Sequence, residues 1–256
     1  MTRLPLACVT LTFFAATFVG CGESRYVADD RLDKGLVVIL PGIEGPGPGS
    51  WAIRKGLDDS GLPYALEVYD WREGRLGAAY AFDEPASRKR AHEIALHMDS
   101  YRRTHAGEPV FVVGHSGGGA LGAFVAEEFD SRPPLNGVIL MEPALGPEYD
   151  LTEAIHGAGG HLAVTSAETD VLLRSLTTIG QNFDGAKGRT AGQDGFRLPP
   201  DAPPERVAAF GKLCQIRWDA SMLKDANWGG HMGCTSPPWV ASTIAPLIRR
   251  WADKTN

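Results

Sequence analysis

The stretch Val110-Phe111-Val112-Val113-Gly114-His115-Ser116-Gly117-Gly118-Gly119-Ala120 decides the fold. Four apolar, mostly β-branched residues predict a strand buried on both faces, as in a parallel sheet. A serine then stands among glycines, and a small-residue helix is predicted from Gly117 to about Phe129, stopped ahead of Pro133-Pro134. A serine between strand and helix must sit on a sharp, strained turn that projects its oxygen above the sheet edge. Neighbours without side chains let strand and helix approach closely. The opening turn of the helix adds free N–H groups and the positive end of a dipole. Gly114-His115-Ser116-Gly117-Gly118 is therefore a G-x-S-x-G motif in the strand–turn–helix setting that gives it chemical meaning.

Working outward, Leu36 to Leu40 is a second continuous apolar run, ended by Pro41-Gly42. Tyr64 to Tyr69, Gly137 to Met141, Leu162 to Ser166 and Leu213 to Trp218 are further predicted strands. Helices are predicted at Ser50 to Leu57, at Ser87 to Arg103 and at Trp239 to Trp251. The longest keeps Ala91, Ile94, Ala95, Met98 and Tyr101 on one face. Strands that alternate with helices mean βαβ units. The expected class is α/β: a mostly parallel sheet of about six strands, flanked by helices on both faces. The region from Val171 to Lys212 is rich in Gly and Pro and predicts loops and short helices over one edge.

The serine turn, together with the histidine and carboxylates downstream, resembles the α/β-hydrolase superfamily, over roughly Leu36 to Trp251. The first strands usual in that fold are missing, hence the reduced sheet. The resemblance implies a Ser–acid–His triad in that chain order, with Ser116 as nucleophile. It implies His231 as base, because the family carries that residue in a loop after the last strand, here Gly229-Gly230-His231-Met232-Gly233. It implies an acid a few residues past a late strand, where Asp170 fits best; Glu168 in the same loop and Glu142 at the end of the preceding strand are the alternatives. It also implies an oxyanion hole from two backbone N–H groups. One is that of Gly117, and the other is that of Ile43 in Pro41-Gly42-Ile43-Glu44-Gly45, with Glu44 as the alternative register. His115 is expected to pack beside the site. Phe183, Phe196 and Trp228 are candidates for an apolar pocket, although aromatic residues are more often core.

Other chemistries are disfavoured by spacing and charge. His92 and His97 stand five apart, which turns their rings roughly 140° from each other on a helix, whereas a zinc helix needs a spacing of four. No metal or organic cofactor is expected. Gly45-Pro46-Gly47-Pro48-Gly49 lacks the N–H donors that a phosphate loop uses, and no nucleotide is expected. A net charge of −6 over 256 residues argues against nucleic acid, which selects clustered cations.

The chain begins MTRLPLACVTLTFFAATFVG, one arginine followed by an apolar run, which reads as a secretory signal over residues 1–20. Phe18-Val19-Gly20-Cys21 resembles the lipobox of bacterial lipoproteins, which implies lipidation at Cys21 and a protein exported to the cell envelope and held at a membrane surface. Residues 21–34 are read as a linker and 35–256 as one hydrolase domain. With Cys8 in the signal and Cys21 acylated, Cys214 and Cys234 remain; export permits a Cys214–Cys234 disulfide, the expected state, with two free thiols as the alternative. The expected activity is cleavage of a small-molecule carboxylic ester, in the manner of an esterase or lipase-like enzyme, through an acyl-enzyme. An inactive binding lipoprotein and an acyltransferase with the same triad are the competing readings.

Overall fold

A computed structural model of the protein describes residues 24–170 and 181–253. The expected signal segment and the lipidation site at Cys21 lie outside the described residues.

Six strands form one sheet: β1 (Leu36–Leu40), β2 (Ala65–Val68), β3 (Val110–His115), β4 (Gly137–Met141), β5 (Leu162–Ser166) and β6 (Cys214–Arg217). Their order is β2-β1-β3-β4-β5-β6, and every pairing is parallel. The six expected runs are all strands, and the parallel direction arises because helical crossovers separate most of them. All carboxyl ends therefore point to one edge. The chain leaves β1 for β2 on one side, then crosses back to place β3 on the other, so the ends of β1 and β3 border a topological switch point. That is where open α/β sheets have a crevice.

Alternation along the strands divides the core in two. Val37, Ile39, Phe111, Val113, Ile139 and Met141 face Ile53 and Leu57 of helix α1 (Pro48–Asp59) and Trp239, Val240, Ile244 and Ile248 of the C-terminal helical segment. Leu36, Val38, Leu40, Val112, Leu140 and Val164 face helices α2 (Glu84–Thr104), α3 (Gly117–Glu127) and α4 (Thr152–Gly157). The predicted face of α2, Ala91 to Tyr101, is buried throughout.

Helix ends differ from expectation for local reasons. Ser50 lies inside α1 instead of capping it; Pro48 opens the helix, and Ser50 Oγ accepts from Gly47 N–H at 3.1 Å. α2 starts at Glu84 because Asp83 accepts from Ala86 N–H at 3.1 Å and Pro85 occupies the first turn. The C-terminal segment runs through Pro237–Trp239, a wide turn at Val240–Ile244, and Ala245–Asp253.

β6 is an exposed edge, and Gln215 covers it: its side chain exchanges hydrogen bonds with Phe196, accepting from N–H at 2.7 Å and donating to C=O at 3.1 Å. The expected Cys214–Cys234 disulfide is not formed; both thiols are free. Cys214 opens β6, level with Ala163, and is exposed, whereas Cys234 is buried beyond the carboxyl end of β4. Two strand spacings alone separate those places by roughly 10 Å, more than a disulfide spans.

Candidate active site

β3 delivers the serine. Ser116 comes directly after its last residue with φ 57° and ψ −119°, a combination in which a side chain is strained. Neighbouring strands hold it there. Ser116 N–H donates to Met141 C=O at 2.9 Å, and Ser116 C=O accepts from the N–H groups of Ala120 and Ala144, each at 3.1 Å. The glycines have steric causes. A side-chain carbon at Gly114 would stand 2.1 Å from Gly118 C=O, and one at Gly118 would stand 2.2 Å from the carbonyl oxygens of Leu40 and Pro41. The exit of β1, the end of β3 and the start of α3 thus meet at backbone contact.

The loop after β1 folds over the same point. Gly45 N–H donates to Gly42 C=O at 2.9 Å, closing a turn with Ile43 and Glu44 at its centre. Trp71 Nε1–H donates to Pro41 C=O at 2.8 Å, and Arg72 holds Glu44 C=O at 2.6 Å. A carbon added to Gly117 would lie 2.8 Å from Ile43 Cγ2 and 3.0 Å from Phe183 Cζ, so this turn and Phe183 press on the first residue of α3. The N–H of Gly117 has no acceptor inside its own helix, as at any helix start. Among the described residues, none accepts from Ile43 N–H.

His231 lies on one helical turn, Gly230–Gly233, where a flexible loop was expected. Gly229 and Gly230, at φ 71° and 65°, make the sharp approach to it. His231 Nδ1 is 2.7 Å from Asp170 Oδ2, and both residues are buried. The ring of His115 holds the backbone of His231: its Nε2–H donates to His231 C=O at 2.8 Å, and the two ring centroids are 4.7 Å apart. A carbonyl only accepts, so Nε2 of His115 carries the proton and Nδ1 a bare lone pair. Burial, aided by the nearby His231, pushes the His115 pKa down to about 3. Because His115 directly precedes Ser116, this bond draws the imidazole segment to the serine turn. A second tie joins the acid and histidine loops: Gly230 N–H donates to Thr169 Oγ1 at 2.9 Å. Gln193 Nε2 donates to Asp170 C=O at 3.2 Å.

The three candidate acids separate clearly. Asp170 meets the imidazole. Glu168 is exposed and pairs with Arg217 at 3.2 Å. Glu142, only 2% exposed, has Oε2 at 3.8 Å from the same Nδ1. Its carboxyl is pushed well above the ordinary range, first by burial, then by the charge of Asp170 and a hydrogen bond with it; the Cys234 thiol acts weakly the other way. Cys234 is itself pushed up, chiefly by burial. By atom type, two overlapping triplets could hold a metal: His115, Glu142 and Cys234, and Glu142, Asp170 and His231. In the second, the 2.7 Å contact is an ordinary charge-assisted hydrogen bond.

Other expectations resolve case by case. Phe183 is buried at the serine turn, Phe196 is core beneath the β6 edge, and Trp228 is 73% exposed, so the three do not share a pocket wall. His92 and His97 bond to different carboxylates, Glu128 and Glu67, each at 2.8 Å. The ties through His115 and Thr169 were not expected. His115 lies inside the motif, yet nothing in the motif says where its ring points; Thr169 carries no sequence signal.

No family model and no curated protein matches the sequence. Solved structures are similar in fold. TT1662 from Thermus thermophilus has a TM-score of 0.52 and 16% identity, over 86% of this chain and 90% of that one. The esterase Pf2001 from Pyrococcus furiosus has a TM-score of 0.49 at 14% identity, over 86% and 84%. Est1E from Butyrivibrio proteoclasticus has 0.48 at 13%, over 85% and 88%. At such identities the likeness is one of fold: a single sheet of parallel strands flanked by helices.

Proposed function

We propose that the protein is a serine hydrolase of carboxylic esters. One observation carries this reading: Ser116 sits on a strained strand-to-helix turn while His231, bonded to Asp170 at 2.7 Å, is tethered to the adjoining residue of that turn. Strain of this kind persists only where surrounding contacts over-determine it, and it concentrates at functional sites.

In this reading Ser116 Oγ attacks the ester carbonyl carbon while His231 Nε2 takes its proton. Asp170 keeps the proton of His231 on Nδ1, which leaves Nε2 free to act as base, and it stabilises the imidazolium that forms. The N–H groups of Gly117 and Ile43 receive the oxyanion, helped by the positive end of the α3 dipole. His231 then protonates the departing alcohol and activates the water that cleaves the acyl-enzyme. The expected export and membrane anchoring through Cys21 would place this chemistry in the cell envelope. In that case Cys21→Ser moves the protein from the detergent phase to the aqueous phase on partitioning, and unchanged partitioning rejects the anchor.

The test of the activity is a fluorophosphonate probe with a panel of 4-nitrophenyl esters of graded acyl length. The wild-type protein should take up one label per chain and turn over at least one ester. Ser116→Ala should lose the label and reduce turnover by roughly 10⁶-fold. Labelling that survives in Ser116→Ala overturns the proposal.

A further inference from the structure

The serine-hydrolase mechanism leaves a buried carboxyl at the site, that of Glu142, without a task. Glu142 ends the apolar run of β4 at φ 47°, and its N–H donates to both the C=O and the Oγ1 of Thr165, each at 3.2 Å. The strained backbone turns its carboxyl inward. There, carboxyl oxygens of Glu142 and Asp170 and a ring nitrogen of His231 lie within 4.8 Å of one another. The Nδ1 proton of His231 is already committed to Asp170 at 2.7 Å. Oε2 of Glu142 is fully buried and has no hydrogen-bond donor among the described residues. A carboxylate can only accept, so an ionised Glu142 would leave that oxygen orphaned beside a second carboxylate, an arrangement buried polar groups avoid.

Among the described residues, no positive charge relieves the pair. The groups that face Glu142 are Asp170 from the loop after β5, Thr165 from β5 itself, His115 from β3, and His231 and Cys234 from the segment before the C-terminal helix. His115 is neutral, and among the described residues no lysine or arginine forms an ion pair with Glu142. A proton removes both difficulties at once, because it turns Glu142 from an acceptor into a donor and leaves one negative charge where there would be two.

We propose that Glu142 is held as the un-ionised acid and donates its carboxyl proton to Asp170, so that a two-carboxyl unit with a single negative charge positions His231. Asp170 then accepts from two sides, from His231 Nδ1–H and from the Glu142 O–H. Were both carboxyls ionised, their mutual repulsion would work against the hydrogen bond by which Asp170 holds His231 Nδ1–H. Glu142 is thus a positioning residue that acts through Asp170. Its catalytic consequence rests on the serine-hydrolase reading; its protonation does not.

The experiment has two readouts. The first is an infrared spectrum in D₂O at neutral pD. Wild type and Ser116→Ala should both show the carbonyl stretch of an un-ionised buried carboxyl, and Glu142→Gln should lack it. The second is kcat/KM against pH on 4-nitrophenyl acetate. Wild type should decline on the alkaline side as Glu142 gives up its proton to solvent, because a second carboxylate then repels Asp170 and disturbs the imidazole that the pair positions. Glu142→Gln, which donates an amide N–H and cannot ionise, should lose that decline and remain at least about tenfold more active than Glu142→Ala. The infrared band decides the protonation even if no ester is turned over or Glu142→Ala fails to fold. Its absence from wild type overturns the proposal. So does an alkaline limb unchanged in Glu142→Gln, or a stoichiometric divalent metal in the purified protein that Glu142→Gln abolishes.

Discussion

Two neighbouring strands leave the sheet by the same backbone device and deliver different chemistry. β3 exits through Ser116 at φ 57° and β4 through Glu142 at φ 47°, both buried, both without the freedom of glycine. The exits are stitched together, since Ser116 N–H donates to Met141 C=O and Ala144 N–H donates back to Ser116 C=O. They differ in the residues immediately downstream. After Ser116 come three glycines and a helix whose first N–H groups have no acceptor within it. After Glu142 comes Pro143, packed 3.0 Å from where a carbon on Gly119 would stand, and no helix starts. One exit presents a hydroxyl to an electropositive helix end; the other turns a carboxyl into a cluster that holds no fixed cation among the described residues. Strain aims a side chain, and the surroundings decide its protonation and its use.

The largest expected effect separates the two carboxyls. Asp170→Asn should lower kcat/KM by roughly 10⁴-fold, because an amide can hold the imidazole in the wrong tautomer. If steady-state kinetics show a drop below tenfold, Asp170 is not the acid and Glu142 takes its place in the comparison.

Next comes the pH dependence of stability, which should carry opposite signs at the two exits. His115, beside Ser116, has its folded pKa pushed to about 3, so between that value and its unfolded 6.5 the unfolded chain binds the extra proton. Stability falls as pH drops through this window, by a few kcal/mol at most. Glu142 is raised, so the folded state keeps a proton that the unfolded chain releases above 4.5, and stability falls as pH rises. Urea melts across pH should show His115→Gln flattening the acid side and Glu142→Gln flattening the neutral-to-alkaline side. Identical curves for the two variants would erase the distinction.

The glycines of the serine exit give a smaller effect. Gly118→Ala puts a carbon 2.2 Å from two carbonyl oxygens of the β1 exit and should cost roughly 3 kcal/mol in a denaturant titration. A cost within experimental error would mean that the β1 exit is not packed on α3. The smallest effect on stability concerns strain itself. Ser116→Gly should abolish activity while raising stability by about 1 kcal/mol, since glycine adopts this backbone conformation freely. A loss of stability would show that Ser116 is not strained.

Much of this was legible before folding, for definite reasons. Leu36–Leu40, Val110–His115 and Gly137–Met141 are continuous apolar runs because they are covered on both faces, and such runs are visible in one dimension. The serine exit was legible because its steric demands are written as glycines. The Glu142 exit was not. It uses a glutamate at positive φ, and its only trace is a charged residue closing an apolar run. The edge strand β6 differs from these runs in carrying Gln215 and Arg217 within Leu213 to Trp218, and it lies exposed at the end of the sheet.

Taken alone, the sequence determined the alternation of strands and helices, the serine turn and a short roster of candidate partners, since each depends on residues near one another in the chain. Folding placed Asp170 against His231, with Glu142 beside them and Glu168 outside, kept Cys214 and Cys234 apart, and set His115 to hold His231. Those outcomes are distances between atoms tens to more than a hundred positions apart, fixed by how six strands line up, and no local pattern encodes them.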